Sequence, residues 1–211
     1  MVRLNDARMS AHTDEGMSMA ETGKTATDVN VLVLVGSLRA ESVNRQIADV
    51  AVANAPEGVA LTIHEGLDQV PFYNEDIDVE PVPAAAAALR DAAAAADAVL
   101  AVTPENNGTV PAVLKNAIDW LSRPYGNSPI KGKPVAAIGA ALGRYGGTWA
   151  HDDARKSFGI AGGTPVEAIS LSVSTKQFDG KHPAEHAEFV GQVRGAVQSL
   201  AEEVGAALVA K

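Results

Sequence analysis

The fold of this chain is decided by one stretch near its beginning, Val31-Leu-Val-Leu-Val-Gly-Ser-Leu-Arg-Ala-Glu-Ser-Val-Asn-Arg-Gln-Ile-Ala48. Its first five residues are apolar and mostly β-branched, which is the pattern of a strand buried on both faces of a parallel sheet. Gly36 ends this strand, and an apolar-periodic helix begins near Val43. The stretch therefore predicts a strand, a polar turn and a helix start, an arrangement that suits an anion.

The polar turn carries four side chains that can bind a phosphate: Ser37, Arg39, Ser42 and Asn44. The helix start adds unpaired N–H groups and the positive end of the helix dipole. The planar guanidinium of Arg39 can bind two phosphate oxygens at once.

Two common nucleotide-binding motifs do not match this turn. A dinucleotide fingerprint would need glycines where Leu38 and Glu41 stand, and no glycine-rich run ends in the Gly-Lys-Ser/Thr of a Walker A loop. Two interpretations remain. One is a cradle for a single terminal phosphate, such as FMN carries, and the other is an ordinary capped helix with Ser42 as its N-cap.

The composition limits the function further. The 211 residues include 17 basic and 26 acidic residues, a net charge of −9 that argues against nucleic acids and anionic membrane surfaces as partners. The absence of cysteine excludes disulfides, thiol catalysis and cysteine metal sites, and it favours the cytoplasm as the location. No metal site is predicted, because His182 and His186 are separated by a helix-opening Pro183 and lack an evident third ligand.

The first 28 residues differ from the rest of the chain. They contain many small polar residues, no strand pattern and no apolar region of a secretory signal. We expect a disordered leader over 1–28, followed by one domain over 29–211.

Strands and helices alternate along the remaining sequence. Further strands are predicted at 59–63, 98–102, 134–141 and 166–173, with helices between them and a last helix over 183–210. This alternation predicts an α/β doubly wound parallel sheet with helices on both faces. The two standard strand orders differ, but both bind ligands beyond the carboxyl ends of the strands at a switch point. In the order 2-1-3-4-5, the turns 36–44, 103–109 and 142–148 would converge there.

Two of these turns have residues suited to a planar ligand. Thr103-Pro-Glu-Asn-Asn-Gly-Thr109 can direct main-chain N–H groups at a ring with several carbonyls, as a flavin requires. Gly143, Gly146 and Gly147 would permit close approach to the opposite ring edge or to a second substrate. The alternative for both turns is that these residues only stabilise the turn and bind no ligand.

Four motifs together resemble the NADPH-dependent FMN reductase family, which includes bacterial quinone and chromate reductases. The motifs are Gly36-Ser-Leu-Arg-Ala-Glu-Ser-Val-Asn44, Thr103-Pro-Glu-Asn-Asn-Gly-Thr-Val-Pro111, Leu114-Lys-Asn-Ala-Ile-Asp-Trp-Leu-Ser-Arg-Pro124 and Leu142-Gly-Arg-Tyr-Gly-Gly147. They follow the family's order and spacing, and the resemblance extends over residues 30–205.

The resemblance implies a flavodoxin-like fold with five parallel strands, and FMN as a tightly bound cofactor that carries the chemistry, so that no protein residue is assigned as catalytic. NADPH or NADH would supply hydride, and quinones, free flavin or similar acceptors, chromate among them, would receive two electrons. A homodimer or homotetramer is implied as well.

The resemblance also assigns residues by their position in the motifs. The phosphate would be held by Ser37, Arg39, Ser42 and Asn44. The flavin ring would be held by Pro104, Glu105, Asn106, Asn107 and Gly108. A second loop near the substrate would consist of Gly143, Arg144, Tyr145, Gly146 and Gly147.

Two residues depart from the family pattern. Asn106 stands where the family usually has tyrosine, and Ala141 where serine is common. These departures affect the ring edge and acceptor preference, and they leave the phosphate site intact.

A flavodoxin-like electron carrier, or a flavin-binding sensor without NAD(P)H turnover, is the alternative function. The Thr-Gly-x-Thr turn and the aromatic residues that bracket the flavin in such carriers are not evident here.

Overall fold

A parallel sheet forms the centre of the structure, a computed structural model that describes residues 29–209. Its strands are β1 (Val29–Val35), β2 (Val59–Ile63), β3 (Ala98–Val102), β4 (Pro134–Ala141), β5 (Thr164–Pro165) and β6 (Leu171–Ser174). Their order is β2-β1-β3-β4-β5, and β6 also pairs with β4. The predicted order 2-1-3-4-5 and the α/β flavodoxin-like fold are confirmed. The predicted leader, 1–28, lies outside the described residues.

Helices cover both faces of the sheet, as predicted. They are α1 (Val43–Ala53), α2 (Ala84–Ala95), α3 (Ala112–Leu121), α4 (Thr148–Ile160) and α5 (Ala187–Val209). One core cluster joins the sheet to α1 and α5, and the other joins it to α2, α3 and α4. Side chains of β1 alternate between the two clusters, which explains the continuous apolar run in its sequence. None of the described helices is both long and apolar enough to cross a membrane.

The prediction of a single fifth strand over 166–173 is wrong. Two short strands occur instead: β5 pairs with the start of β4, and β6 pairs with its end. Between them, Val166 and Ile169 are buried in a turn in which the Ile169 N–H donates to the Val166 carbonyl. Buried apolar residues in a turn imitate a strand, because the apolar pattern reports burial and not extension.

The long connection between β2 and α2 is held by α3. The Asn116 amide donates to the Pro71 carbonyl at 3.0 Å and accepts from the Tyr73 N–H at 2.8 Å. The indole of Trp120 is fully buried and donates to the same Pro71 carbonyl at 2.7 Å. These two residues of the third motif therefore fix the connection against α3.

The site is positioned by the pairing of β1 with β3. Val35 pairs with Val102, so the two strands end at the same level. The chain then continues to α1 on one face of the sheet and to α3 on the other. Connections that leave on opposite faces create a crevice between the two strand ends.

Candidate functional site

A cavity of about 690 Å³ opens at this crevice. Its walls come from the turn after β1, from residues 104–106 and 111–113 after β3, and from the segment 140–142 at the end of β4, with Thr175 beside them. Its volume lies within the range of roughly 300–1,000 Å³ that is usual for small-molecule sites.

The structure brings most of the predicted ligand residues to this cavity. Seven of them line it: Ser37, Arg39, Ser42, Asn44, Pro104, Glu105 and Asn106. The other two residues of the ring-binding set, Asn107 and Gly108, form the exposed tip of the loop with positive φ angles of 53° and 79°. Their ligand role stays a prediction.

The loop 143–147 does not line the cavity. The residues just before it, Ala141 and Leu142, line the cavity instead. A Cβ atom on Gly146 would lie 2.4 Å from the Val173 nitrogen, so this glycine allows the loop to pack on β6. Gly147, with φ of 95°, leaves room for the His151 ring. These two glycines therefore serve internal packing, and the predicted ligand contacts of the loop stay a prediction.

The turn after β1 combines a helix start with the guanidinium of Arg39, with which no described carboxylate pairs. Ser42 is the N-cap of α1, and its Oγ accepts from the Arg45 N–H at 3.4 Å, as the capped-helix interpretation predicts. The first turn of α1 has no acidic residue that would offset the dipole. Within residues 29–209, no carboxylate pairs with the Arg39 guanidinium, whereas Arg45 pairs with Asp49 and Glu65.

Asn44 has a structural role that the sequence did not reveal. Its Nδ2 donates to the Ala140 carbonyl and its Oδ1 accepts from the Ala140 N–H, both at 2.8 Å. The buried amide thus ties α1 to β4, and one Nδ2 hydrogen remains available to a ligand.

The loop after β3 presents an acceptor without a donor. The Oε2 atom of Glu105 is buried and has no hydrogen-bond partner among the described residues. A buried carboxylate oxygen without a partner is costly, so it favours a ligand that brings a donor.

His151 is a further polar residue beneath the cavity, and sequence reasoning missed it. The ring is fully buried in α4, with Nδ1 2.6 Å from the Ser172 Oγ and Nε2 3.0 Å from the Thr103 carbonyl oxygen. Burial lowers the pKa of the imidazole below its usual value, and this effect outweighs the opposing hydrogen bond to Thr103. No local pattern marks such a residue, because its partners lie far away in the sequence.

Comparisons with known proteins agree with this geometry. A family model described as NADPH-dependent FMN reductase matches residues 29–178. A quinone reductase of Pseudomonas putida is 47% identical over 128 residues, which cover 61% of this chain and 68% of that protein. An NAD(P)H-dependent FMN reductase of Pseudomonas aeruginosa is 37% identical over 150 residues, which cover 71% and 80%.

A solved structure is similar over most of the chain. The flavoenzyme NAD(P)H:(acceptor) oxidoreductase FerB of Paracoccus denitrificans superposes with a TM-score of 0.72 and 29% identity. The match covers 84% of this chain and 97% of FerB.

The lowered pKa of His151 should appear in the pH dependence of stability. Unfolded histidine titrates near pH 6.5, at about the ordinary value. Below that pH the histidine of the unfolded chain binds a proton that the folded protein does not bind. The free energy of unfolding therefore has its full value above the unfolded pKa and decreases as the pH falls below it. We expect wild type to lose unfolding free energy more steeply than His151→Gln, by up to about 1.4 kcal/mol per pH unit.

Denaturant titrations of both proteins from about pH 7.5 to about pH 5 measure this difference. Burial also lowers the pKa of His64, but that residue is present in both proteins and cancels in the comparison. Parallel stability curves would contradict the expected contribution of His151.

Proposed function

This chain belongs to the NADPH-dependent FMN reductase family, and from that premise we propose that it passes two electrons from NADPH or NADH through FMN to quinones or similar small acceptors. The observation that carries the proposal is the cavity at the level ends of β1 and β3. One end of it has a helix start and an arginine without a carboxylate partner among the described residues, and the other end has a turn-rich loop.

The phosphate end of the cavity fits a single terminal phosphate. Arg39 offers a guanidinium that no described carboxylate occupies, and the hydroxyls of Ser37 and Ser42 line the same wall. The first N–H groups of α1 add donors and a positive dipole end. Together these groups bind and orient a phosphate without a metal ion.

The ring end of the cavity fits a planar heterocycle. The apolar residues Pro111, Ala112 and Val113 form one wall, and the loop from Pro104 to Asn106 supplies main-chain groups. The unpartnered Oε2 of Glu105 matches a ligand that carries donors, as a flavin does at its ring N–H and its ribityl hydroxyls. FMN held there would supply the hydride chemistry, with a nicotinamide as donor and a two-electron acceptor as recipient.

The remaining role of the protein's own residues is to bind and orient the acceptor beside the cofactor. Asn106 and Leu142 are exposed at the mouth of the cavity and are placed to contact an acceptor. Ala141 also lines the cavity and is partly exposed, and its small side chain leaves space there. We therefore assign acceptor preference to the residues at this mouth.

We also propose a homodimer or homotetramer in the cytoplasm. A second surface cavity of about 490 Å³ lies between α3 and α4, where Tyr125 and Ile160 are 89% and 78% exposed. Large apolar side chains around a concave surface are common where protein subunits meet. The cysteine-free sequence fits a reducing compartment.

Anaerobic mixing with NADPH tests the enzymatic function. We expect the purified protein to carry FMN, identified by chromatography after release, and its flavin absorbance to bleach rapidly on mixing. Reoxidation by a quinone should then restore the absorbance. A protein that carries FAD or no flavin after reconstitution would end the proposal, and a bound FMN that NADPH does not bleach would indicate an electron carrier or sensor.

Replacing Arg39 tests the phosphate end. Arg39→Ala should weaken FMN binding by about 1.5–3 kcal/mol, the range for hydrogen bonds to charged groups. Riboflavin lacks the phosphate, so its affinity should change little. Titration of the apoprotein with each flavin measures both values.

Arg45→Ala is the matched control, because Arg45 lies in the first turn of α1, close to Arg39 in the sequence, but pairs with Asp49 and Glu65. We expect it to bind FMN much as wild type does. An equal loss of FMN and riboflavin in Arg39→Ala would place Arg39 away from the phosphate.

Asn106→Tyr tests the acceptor mouth. A tyrosine would add an aromatic wall without changing main-chain donors. Aromatic pairs contribute about 0.5–1.5 kcal/mol beyond area burial, so FMN binding should tighten by no more than about tenfold. The ratio of kcat/KM for a small and a bulky quinone should change. A far larger gain in FMN affinity with an unchanged quinone ratio would assign position 106 to cofactor retention.

A further inference from the structure

The hydrogen-bond ladder between β3 and β4 separates beneath the cavity. Val102 pairs with Ile138, and the Thr103 N–H still donates to the Ile138 carbonyl at 3.0 Å. In a continued parallel ladder, the Thr103 carbonyl would next accept from the Ala140 N–H. The structure does not form that bond: the Ala140 N–H donates to the Asn44 Oδ1.

Two side chains take over the backbone groups that this separation releases. Asn44 binds both the N–H and the carbonyl of Ala140. His151 Nε2 lies 3.0 Å from the Thr103 carbonyl oxygen, and it must donate because a carbonyl can only accept. Each buried backbone group therefore keeps a partner although the strands no longer bind each other.

The surroundings of the ring set its tautomer. Because Nε2 carries the hydrogen, Nδ1 of the neutral ring accepts, and the Ser172 hydroxyl donates to it at 2.6 Å. A Cβ atom on Gly147 would lie 3.3 Å from the imidazole, and one on Gly139 would lie 2.3 Å from the Thr103 oxygen. The backbone around this contact is thus shaped to admit the ring.

The contact lies one residue before the loop that would hold the flavin. We propose that His151 is a positioning residue for the flavin ring: its Nε2–H holds the Thr103 carbonyl and so fixes the direction in which Pro104, Glu105 and Asn106 leave the sheet. This role rests on the proposed function, because it concerns the ring end of that cavity. Without a donor at Nε2, the Thr103 carbonyl is either unpaired or competes with Asn44 for the Ala140 N–H.

A matched pair of amide variants separates the two ring nitrogens. His151→Gln places an amide near the position of Nε2 and keeps a donor for Thr103. His151→Asn places its amide near the position of Nδ1 and leaves Thr103 without a donor. Apoprotein of each variant is titrated with FMN and with riboflavin, and the absorption spectrum of the bound flavin is recorded.

We expect the asparagine variant to bind both flavins about tenfold more weakly, since one hydrogen bond to a buried acceptor is lost. Both flavins should lose the same factor, because they share the ring, and the bound spectrum should shift. The glutamine variant should stay within about threefold of wild type, because its donor is retained.

Several results would overturn the role. Riboflavin affinity that is unchanged in the asparagine variant would do so, as would a loss confined to FMN. Equal losses in both variants would show that the imidazole acts through its shape. Lower stability of the apoprotein with unchanged flavin affinity would show that His151 stabilises the fold and does not position the flavin.

A measurement on wild type decides the matter if neither variant folds. NMR of protein with ¹⁵N-labelled histidine should show His151 protonated at Nε2 and not at Nδ1 near neutral pH. The opposite tautomer or a doubly protonated ring would overturn the inference. Wild-type protein that binds no flavin would refute the proposed function and leave this tautomer test in place, whereas flavin-binding wild type with an unaffected asparagine variant would refute the inference alone.

Discussion

The parallel pairing of β1 with β3 is the interaction on which the rest of the site depends. The strands lie side by side in register and end together at Val35 and Val102. The chain leaves one strand for the face that carries α1 and the other for the face that carries α3. Neither of these two connections then covers the space between the strand ends, so a ligand can enter there. The turn after β1 and the loop after β3 line the same cavity for this reason.

The separation of β3 and β4 at their carboxyl ends creates a second constraint. Strands that separate leave backbone groups without partners, and a buried unpaired group costs about 1–3 kcal/mol. The protein satisfies these groups with the side chains of Asn44 and His151, which reach the gap from opposite faces of the sheet. Gly36 and Gly139 keep the space around Thr103 open, since a Cβ atom on Gly36 would lie 2.2 Å from the Thr103 Oγ1.

Local patterns were sufficient for the strands that build the site. The apolar runs of β1 and β3 and the helix start at Ser42 are each encoded within a few residues, so these elements could be predicted from local patterns. The strand order that places the crevice between β1 and β3 followed from the resemblance to the family. The division of the predicted fifth strand into two could not be predicted, because Val166 and Ile169 are buried without being extended. Apolarity alone does not distinguish these cases.

The polar supports of the site escaped prediction for a different reason. Asn44 and Ala140 are 96 residues apart, and His151 and Thr103 are 48 apart. Such contacts exist only after the sheet has formed. The glycines of 143–147 suggested a ligand contact because a single sequence cannot distinguish a glycine that admits a ligand from one that admits another strand. Gly146, packed on β6, is of the second kind.

The charged side chains that line the cavity are not the side chains that bind the backbone groups beneath it. Arg39 and Glu105 are the charged side chains that line the cavity within residues 29–209. The supports beneath it, Asn44 and His151, are an amide and an imidazole whose pKa burial keeps low. A cation fixed under a flavin ring would favour the reduced, negatively charged form and would raise the reduction potential as the pH fell. A neutral donor holds the loop without adding that field.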